Sequence, residues 1–250
     1  MAASKGLGAA TARIFAEEGA RVVIAARNVQ ALTATAASIK ADTGAQVVPV
    51  VADSAHAGDI TRLIDTTMEH FGRIDAIIVN AGGPPPGKFA DTSDETWASA
   101  VDLTLMSAVR AARAVIPVMR AQGGGSITFI TSVGIKHALD NLLLSNSLRL
   151  AVVGLAKTMS RELGADNIRV NTICPGYTAT DRLISLNLAT AERNHTTIEQ
   201  ELAKLGGNVP LGRVASPEEF GRACVFLASS AASYITGAAL MVDGGMSRVM

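Results

Sequence analysis

Three scarcities narrow this 250-residue chain before any motif is read. Aromatic residues make up 4% of it, with one tryptophan and two tyrosines, so chemistry that needs a phenol can draw only on Tyr177 and Tyr234. The two cysteines, Cys174 and Cys224, lie in apolar stretches without metal-like spacing. They read as buried thiols in a reducing, cytoplasmic setting, and no metal site is expected. Formal net charge is zero, from 22 basic and 22 acidic residues, which gives no footprint for nucleic acid or an anionic membrane. No apolar run approaches the ~18 residues of a membrane span, and the opening residues lack the basic segment and apolar core of a signal peptide. What the chain has is 48% apolar and 18% charged residues, a globular composition over a length that suits one large α/β domain.

The chain is organised around its start. Ser4-Lys5-Gly6-Leu7-Gly8 runs into the helical pattern Ala9–Glu18, then Gly19, then the apolar run Arg21–Ala26. That order reads as a glycine turn, an amphipathic helix stopped by glycine, and a buried strand. Gly6 and Gly8 would let backbone approach a ligand, and the helix they open would aim N–H groups at a phosphate. Arg27 follows the strand, about twenty residues beyond the turn, where a dinucleotide site meets the adenosine ribose. An acid there would bind ribose hydroxyls; an arginine, with Lys5 in the turn, favours a 2′-phosphate.

Farther along, helical patterns near 29–43, 58–71, 93–121, 145–164 and 217–229 alternate with apolar runs near 46–53, 74–79, 126–131, 168–173 and 238–242. Such alternation predicts a parallel sheet with helices on both faces, and the continuous apolar character of the strands agrees. Residues 179–215 carry no strong period and read as a small lid or substrate lobe of short helices on a single domain. In an open parallel sheet, ligands bind beyond the carboxyl ends of the strands. Gly6 and Gly8, Arg27, Asp53, Asn80-Ala81-Gly82, Thr131-Ser132 and Pro175-Gly176 all fall at that edge. Each has a plain reading as cap, turn or bend, but their convergence predicts a site.

Taken together, these motifs give the chain a resemblance to the short-chain dehydrogenase/reductase family over nearly its full length. The match rests on Ser4–Gly8, Asn80-Ala81-Gly82, Trp97, Ser132, Val170–Gly176 and the closing Thr236-Gly237 to Val242-Asp243-Gly244-Gly245. The resemblance implies a Rossmann-like doubly wound fold binding NADP(H) or NAD(H), a small-molecule carbonyl or alcohol substrate, and a homo-oligomer, tetramer or dimer. It also implies cofactor roles for Ser4, Lys5, Gly6, Leu7 and Gly8 in the turn, and for Asp53 at the adenine. Asn80, Ala81, Gly82 and Thr131 would line the cofactor, with Pro175, Gly176, Thr178 and Thr180 at its nicotinamide end.

The departures carry as much information. Family members have a Tyr-x-x-x-Lys pair thirteen residues after the catalytic serine. Counted from Ser132, that register holds Ser145 and Arg149, and the place of the family's helix asparagine holds Thr104. The family also has a first strand and a Thr-Gly ahead of the turn. This sequence starts at Met1-Ala2-Ala3, with Ala2 where the family's first glycine would stand. The first strand is therefore expected to be missing or truncated, which would open the centre of the sheet.

Hydride transfer to a carbonyl needs a proton donor for the forming alkoxide. A phenol, with a reference pKa of ~10, serves when a cation lowers it; a serine hydroxyl is a far weaker acid. Four-residue spacing puts Ser145 and Arg149 on one helical face, but arginine practically never releases its proton. The pair can bind or polarise an oxygen and is a poor relay. Lys136 and His137, just past Ser132, are candidate helpers; Tyr177 could face substrate, and His195 reads as solvent-facing. The leading expectation is an oxidoreductase preferring NADP(H) over NAD(H), with an atypical proton-transfer site built from Ser132, Ser145, Arg149 and Lys136. In it Ser132 bonds the substrate oxygen, and Arg149 holds the nicotinamide ribose or polarises the oxygen. The rival is a non-catalytic dinucleotide- or ligand-binding protein on the same fold; a third reading is a shortened chain that folds poorly. Leu139, Leu142, Leu143 and Leu144 point to an apolar pocket.

Overall fold

Parallel strands do divide into two sheets. β1 (Val22–Ala26) pairs with β2 (Val47–Val51), while β3 (Ala76–Val79), β4 (Gly125–Ile130), β5 (Ile168–Pro175) and β6 (Ala239–Val242) form a second parallel sheet in that order. The computed structural model describes residues 1–248.

The strands are covered on both faces, and successive side chains serve opposite layers. On one face Ile77, Val79, Ile127, Phe129 and Val170 pack with α3 (Ala57–Phe71), α5 (Ser107–Ala121) and α6 (Leu143–Glu162). On the other, Ile78, Ile130 and Ile173 meet Leu7 of α1 (Gly6–Glu17) and Phe220, Cys224 and Leu227 of α9 (Pro217–Ala228). Ile24 and Ala26 of β1 join α1 and α2 (Val29–Thr43) on this side, whereas Ala25 turns to Val50 and Leu63.

Local chemistry sets the boundaries. Asn28 caps α2 by accepting from the Ala31 N–H at 2.8 Å, and left-handed glycines 44 and 72 stop α2 and α3. Ser216 and Glu219 form a capping box ahead of α9, with Pro217 in its first turn. The helical stretch expected over 93–121 is not uniform. α4 (Asp94–Val101) passes into a π-helical segment, Asp102–Met106, before α5. Between β5 and α9 lie α7 (Asp181–Asn194) and α8 (Ile198–Gly207).

The expected opening at the sheet centre takes a definite form. β1 and β3 do not pair; residues 1–3 pass between them, the Met1 amino group donating to Ile78 O at 3.1 Å and Ala3 N–H to Ala25 O at 2.9 Å. Beside them lies a cavity of about 400 Å³, lined by Met1, Ala3, Ile24, Leu63, Ile74 and Ile77 among others. Ala2 adopts φ +47°, the left-handed region that suits the glycine whose place it takes. Its carbonyl lies so close to α1 that Gly8 has no room for a Cβ beside it. Gly8 thus admits the chain's own backbone, which corrects the expectation that it admits a ligand.

Two substitutions test this packing. Ala2→Gly should stabilise the fold by up to about 1 kcal/mol by relieving the left-handed alanine. Gly8→Ala should destabilise it by roughly 1–3 kcal/mol, the usual range for forcing atoms into filled space. Urea midpoints read both; a neutral Gly8→Ala would mean the opening segment does not pack on α1.

Candidate functional site

The carboxyl ends of the strands and the start of α1 meet along one edge, as ligand sites in open parallel sheets do. Lys5 precedes α1 in extended backbone, and no side chain caps the helix, so its first N–H groups stay available to an anion. Gly6 has φ +57° and lies against Thr180, whose side chain caps α7. Lys5 Nζ reaches Asp181 at 3.3 Å, so the turn and the segment after β5 are tied together. A cleft of about 280 Å³ runs between them, lined by Gly6, Ala9, Thr35, Thr180 and Asp181. The larger cavity, in the sheet slot, lies away from this edge.

The predicted residues divide by where their side chains go. Arg27 is 74% exposed at the end of β1, 3.7 Å from Asp53, whose other carboxylate oxygen accepts from the Ala55 N–H at 2.9 Å. Asp53 is therefore a turn cap as well as a partner to Arg27. Ser4 lends its carbonyl to Thr35. Leu7 packs into the core beside Phe220, so only its backbone can face a ligand, a correction to its expected role. Thr131 is corrected likewise: it is buried, its hydroxyl 3.0 Å from Cys174 Sγ, on the inner side of the sheet. Thr178 is buried as well. Asn80 Nδ2 donates to Ala2 O at 3.4 Å, fastening the strand end to the opening segment, with Ala81 and Gly82 following in an irregular loop. Gly176, after Pro175, packs against Asp243.

Beyond β4, Ser132 Oγ accepts from the Gly134 N–H at 3.0 Å, which leaves its proton free to donate outward. Arg149 Nε donates to Ser145 Oγ at 3.2 Å, and Nη1 donates to Ile130 O at 2.9 Å. Ser145 can likewise give its own proton elsewhere. Asn146, which the sequence reading passed over, holds the intervening loop: Nδ2 donates to Leu139 O at 2.9 Å and Oδ1 accepts from Leu139 N–H. Lys136 and His137 lie half-buried in that loop, and His195 is exposed. Thr104, in the π-helical segment, is buried with its hydroxyl unpartnered.

Electrostatics at this edge are unusual. Burial first, and the positive charge of Arg182 second, lower the Arg149 guanidinium to about 10. Arg182 is the residue the sequence reading missed. It sits in the first turn of α7, where a cation opposes the helix dipole, and that misplacement was the available signal. Its Nη2 donates to Pro84 O at 2.9 Å. Burial, then Asp140, push the Tyr177 phenol up, opposite to what a donor working near neutral pH requires. Burial raises both thiols, Cys224 to about 12, so neither is poised as a nucleophile.

Comparison with known proteins places these features in context. Residues 1–247 match the sequence family described as Enoyl-(Acyl carrier protein) reductase. The chain is 35% identical over 244 residues to the 3-oxoacyl-[acyl-carrier-protein] reductase FabG of Chlamydia trachomatis, spanning 97% of this chain and 94% of that one. The L-sorbose reductase of Gluconobacter frateurii, solved with NADPH and L-sorbose, superposes with a TM-score of 0.95 at 35% identity, over 99% of this chain and 95% of its own. A short-chain oxidoreductase of Pseudomonas aeruginosa PAO1 with NADPH bound, described as containing an atypical catalytic center, gives a TM-score of 0.90 at 28% identity, over 99% and 95%.

A half-buried cation with no acid beside it should weaken the fold. The folded chain holds its Arg149 proton less tightly than the unfolded chain does, so the charge is destabilising at every pH below about 10. Arg149→Met should therefore melt higher than the parent at pH 7, each kcal/mol gained raising Tm by roughly 2–4 °C. A lower Tm would show that the hydrogen bonds to Ile130 and Ser145 outweigh the burial of charge.

Proposed function

The chain belongs to the short-chain dehydrogenase/reductase family of oxidoreductases, and from that premise we propose that it reduces a carbonyl compound, or oxidises the corresponding alcohol, with NADP(H). The observation that carries this reading is the meeting at one edge of the uncapped α1 N-terminus, the exposed Arg27, and the Ser132, Ser145 and Arg149 group. Relatives solved with NADPH support the choice of nucleotide. The residues fit it: open N–H groups at α1 suit a pyrophosphate, and Arg27 offers a guanidinium fork to a 2′-phosphate.

Bound NADPH supplies the hydride, and the protein's task is to orient the carbonyl and stabilise charge on its oxygen. Ser132 and Ser145 each accept one hydrogen bond from the protein and donate their own proton toward that oxygen. Arg149 keeps its proton; by donating to Ser145 Oγ it makes that hydroxyl a stronger donor and adds positive charge at the oxygen. Lys136, in the loop beyond Ser132, is the proton source in this reading. Tyr177 is not, because its phenol is pushed the wrong way. Asn80, Ala81, Gly82, Gly176 and Thr180 line the cofactor's path along the edge. The protein is cytoplasmic, in keeping with its two free, buried thiols, and a homotetramer, a state that light scattering would read.

Titration with NADPH and NADH, followed through Trp97 fluorescence, is the decisive measurement. NADPH should bind more tightly, and Arg27→Ala should weaken it roughly tenfold or more while changing NADH little, since a charge-assisted pair to phosphate is lost. Equal losses for both nucleotides would overturn the 2′-phosphate assignment. With NADPH bound, Ser132→Ala should lower kcat for carbonyl reduction by roughly 100-fold or more, the scale of losing a donor to a developing oxyanion. Tight nucleotide binding without turnover of any carbonyl would overturn catalysis itself.

A further inference from the structure

Asn146 stands where three parts of the candidate site meet: the turn at Ser132, the loop beyond it and the first turn of α6. Its backbone N–H donates to Leu142 O at 2.8 Å, which sets it in the helical turn that carries Ser145. Its side-chain amide is oriented by opposite bonds to a single residue. Nδ2 donates to Leu139 O at 2.9 Å, and Oδ1 accepts from Leu139 N–H at 3.3 Å. A carboxamide offers donor and acceptor side by side, whereas an ionised aspartate of the same size only accepts. The oriented Oδ1 lies against Gly134, which is buried. A Cβ on Gly134 would stand 2.6 Å from Asn146 Oδ1 and 3.3 Å from Ser132 Oγ, so the glycine is wedged between the two oxygens. Its backbone is not left-handed; the position needs its smallness and not its freedom. That wedge bears on Ser132, because the Gly134 N–H is the donor to Ser132 Oγ at 3.0 Å and decides which way the hydroxyl turns. The far end of the loop is held separately, Gly87 N–H donating to Asn141 O at 2.8 Å, so losing the Asn146 amide would loosen the inner segment without freeing the whole loop.

We propose that Asn146 is a positioning residue for carbonyl reduction, holding the Ser132 hydroxyl in the direction that lets it share one substrate oxygen with Ser145. The role rests on the carbonyl-reduction reading of the site and deepens it. Ser132 follows the end of β4 and Ser145 lies on α6, so two hydroxyls on separate elements must aim at a single atom. Misplacement of a reacting group by about 1 Å can cost roughly 100-fold in rate, which makes a rigid link between the two elements worth having. Asn146 supplies that link: Leu139 fixes the amide, the amide seats Gly134, and the Gly134 N–H turns Ser132. The amide is engaged with Leu139 and touches no substrate in this scheme. Its effect falls on kcat, because a misdirected serine costs most where charge develops on the oxygen.

NADPH consumption with ethyl 2-oxo-4-phenylbutanoate, ethyl acetoacetate and 1-phenyl-1,2-propanedione tests the role, together with amide hydrogen exchange at Gly134 and Leu139. Asn146→Ala should lower kcat roughly tenfold or more, with KM and NADPH affinity within about threefold of the parent. Exchange at both amides should quicken. In a Ser132→Ala background the same substitution should cost less than about twofold, since the hydroxyl it positions is gone. A merely structural asparagine would cost the same in both backgrounds, and that result would overturn the proposal. So would an Asn146→Ala enzyme that keeps the parent's kcat, or unchanged exchange at Gly134. If Asn146→Ala does not fold, Asn146→Asp carries the same expectations, because it keeps the size and sets a carboxylate oxygen against the Leu139 carbonyl. The reading beneath fails in a different way: a parent that reduces none of the three probes removes the carbonyl chemistry and the positioning role with it, whereas equal reduction by parent and Asn146→Ala removes the role alone.

Discussion

Six consecutive residue pairs, from Gly125 with Ile168 to Ile130 with Ile173, lock β4 to β5, and the candidate site hangs from the end of that ladder. Both strands are buried on both faces, so their backbone groups have no alternative partner in water and their register cannot drift. Ser132 leaves one strand of the pair and Gly176 the other. Arg149 reaches the ladder directly, donating to the carbonyl of Ile130, the last residue of β4. Just past that residue Thr131 and Cys174 share a buried polar contact. The placement of the reactive edge is thus a consequence of core packing, and the loops above it inherit a rigid floor.

The other half of the edge depends on a weaker arrangement. α1 starts where the first three residues stand between β1 and β3, holding each by single hydrogen bonds where a strand would supply a ladder. Strain collects there: a left-handed alanine, and a glycine that leaves no room for a side chain against the Ala2 carbonyl. Because Asn80 also fastens to that carbonyl, the opening segment couples the start of α1 to the end of β3. The uncapped N-terminus of α1 and the integrity of the divided sheet are in this way one problem.

Electrostatics separate this chain from a family member with tyrosine and lysine in the helix register. A lysine can exchange its proton; Arg149 cannot, and it is held in a half-buried place with no acid to offset it. The structure keeps that unfavourable charge within hydrogen-bond reach of Ser145, where the positive charge of Arg182 adds to the cost. Unfavourable groups concentrated at one edge of an otherwise well-packed fold are the usual mark of a functional site, where stability is given up for chemistry. In the proposed reaction Ser132 and Ser145 would supply orientation and charge stabilisation, the part that does not require a titrating group.

Much of this was legible in the chain. Helices and strands followed from apolar period and from glycine stops such as Gly44 and Gly72, because those signals act within a few residues. The edge on which Arg27, Asp53, Asn80 and Ser132 gather followed from alternation alone, since parallel strands must all end on the same side. The pairing of Ser145 with Arg149 followed from helical spacing. Other features depended on partners far away in sequence. Leu7 and Thr131 turn inward because α9 and β5 pack there, and the helix over 93–121 gains a π-helical segment where it lies against α6. The charge of Arg182 bears on Arg149 only once α7 is set beside the Pro84 loop. Sequence by itself determined the element order, the reactive edge and the replaced residues; tertiary structure alone decided which side chains face that edge and which charges are left unpaired, because direction and desolvation are properties of packed neighbours and not of spacing along a chain.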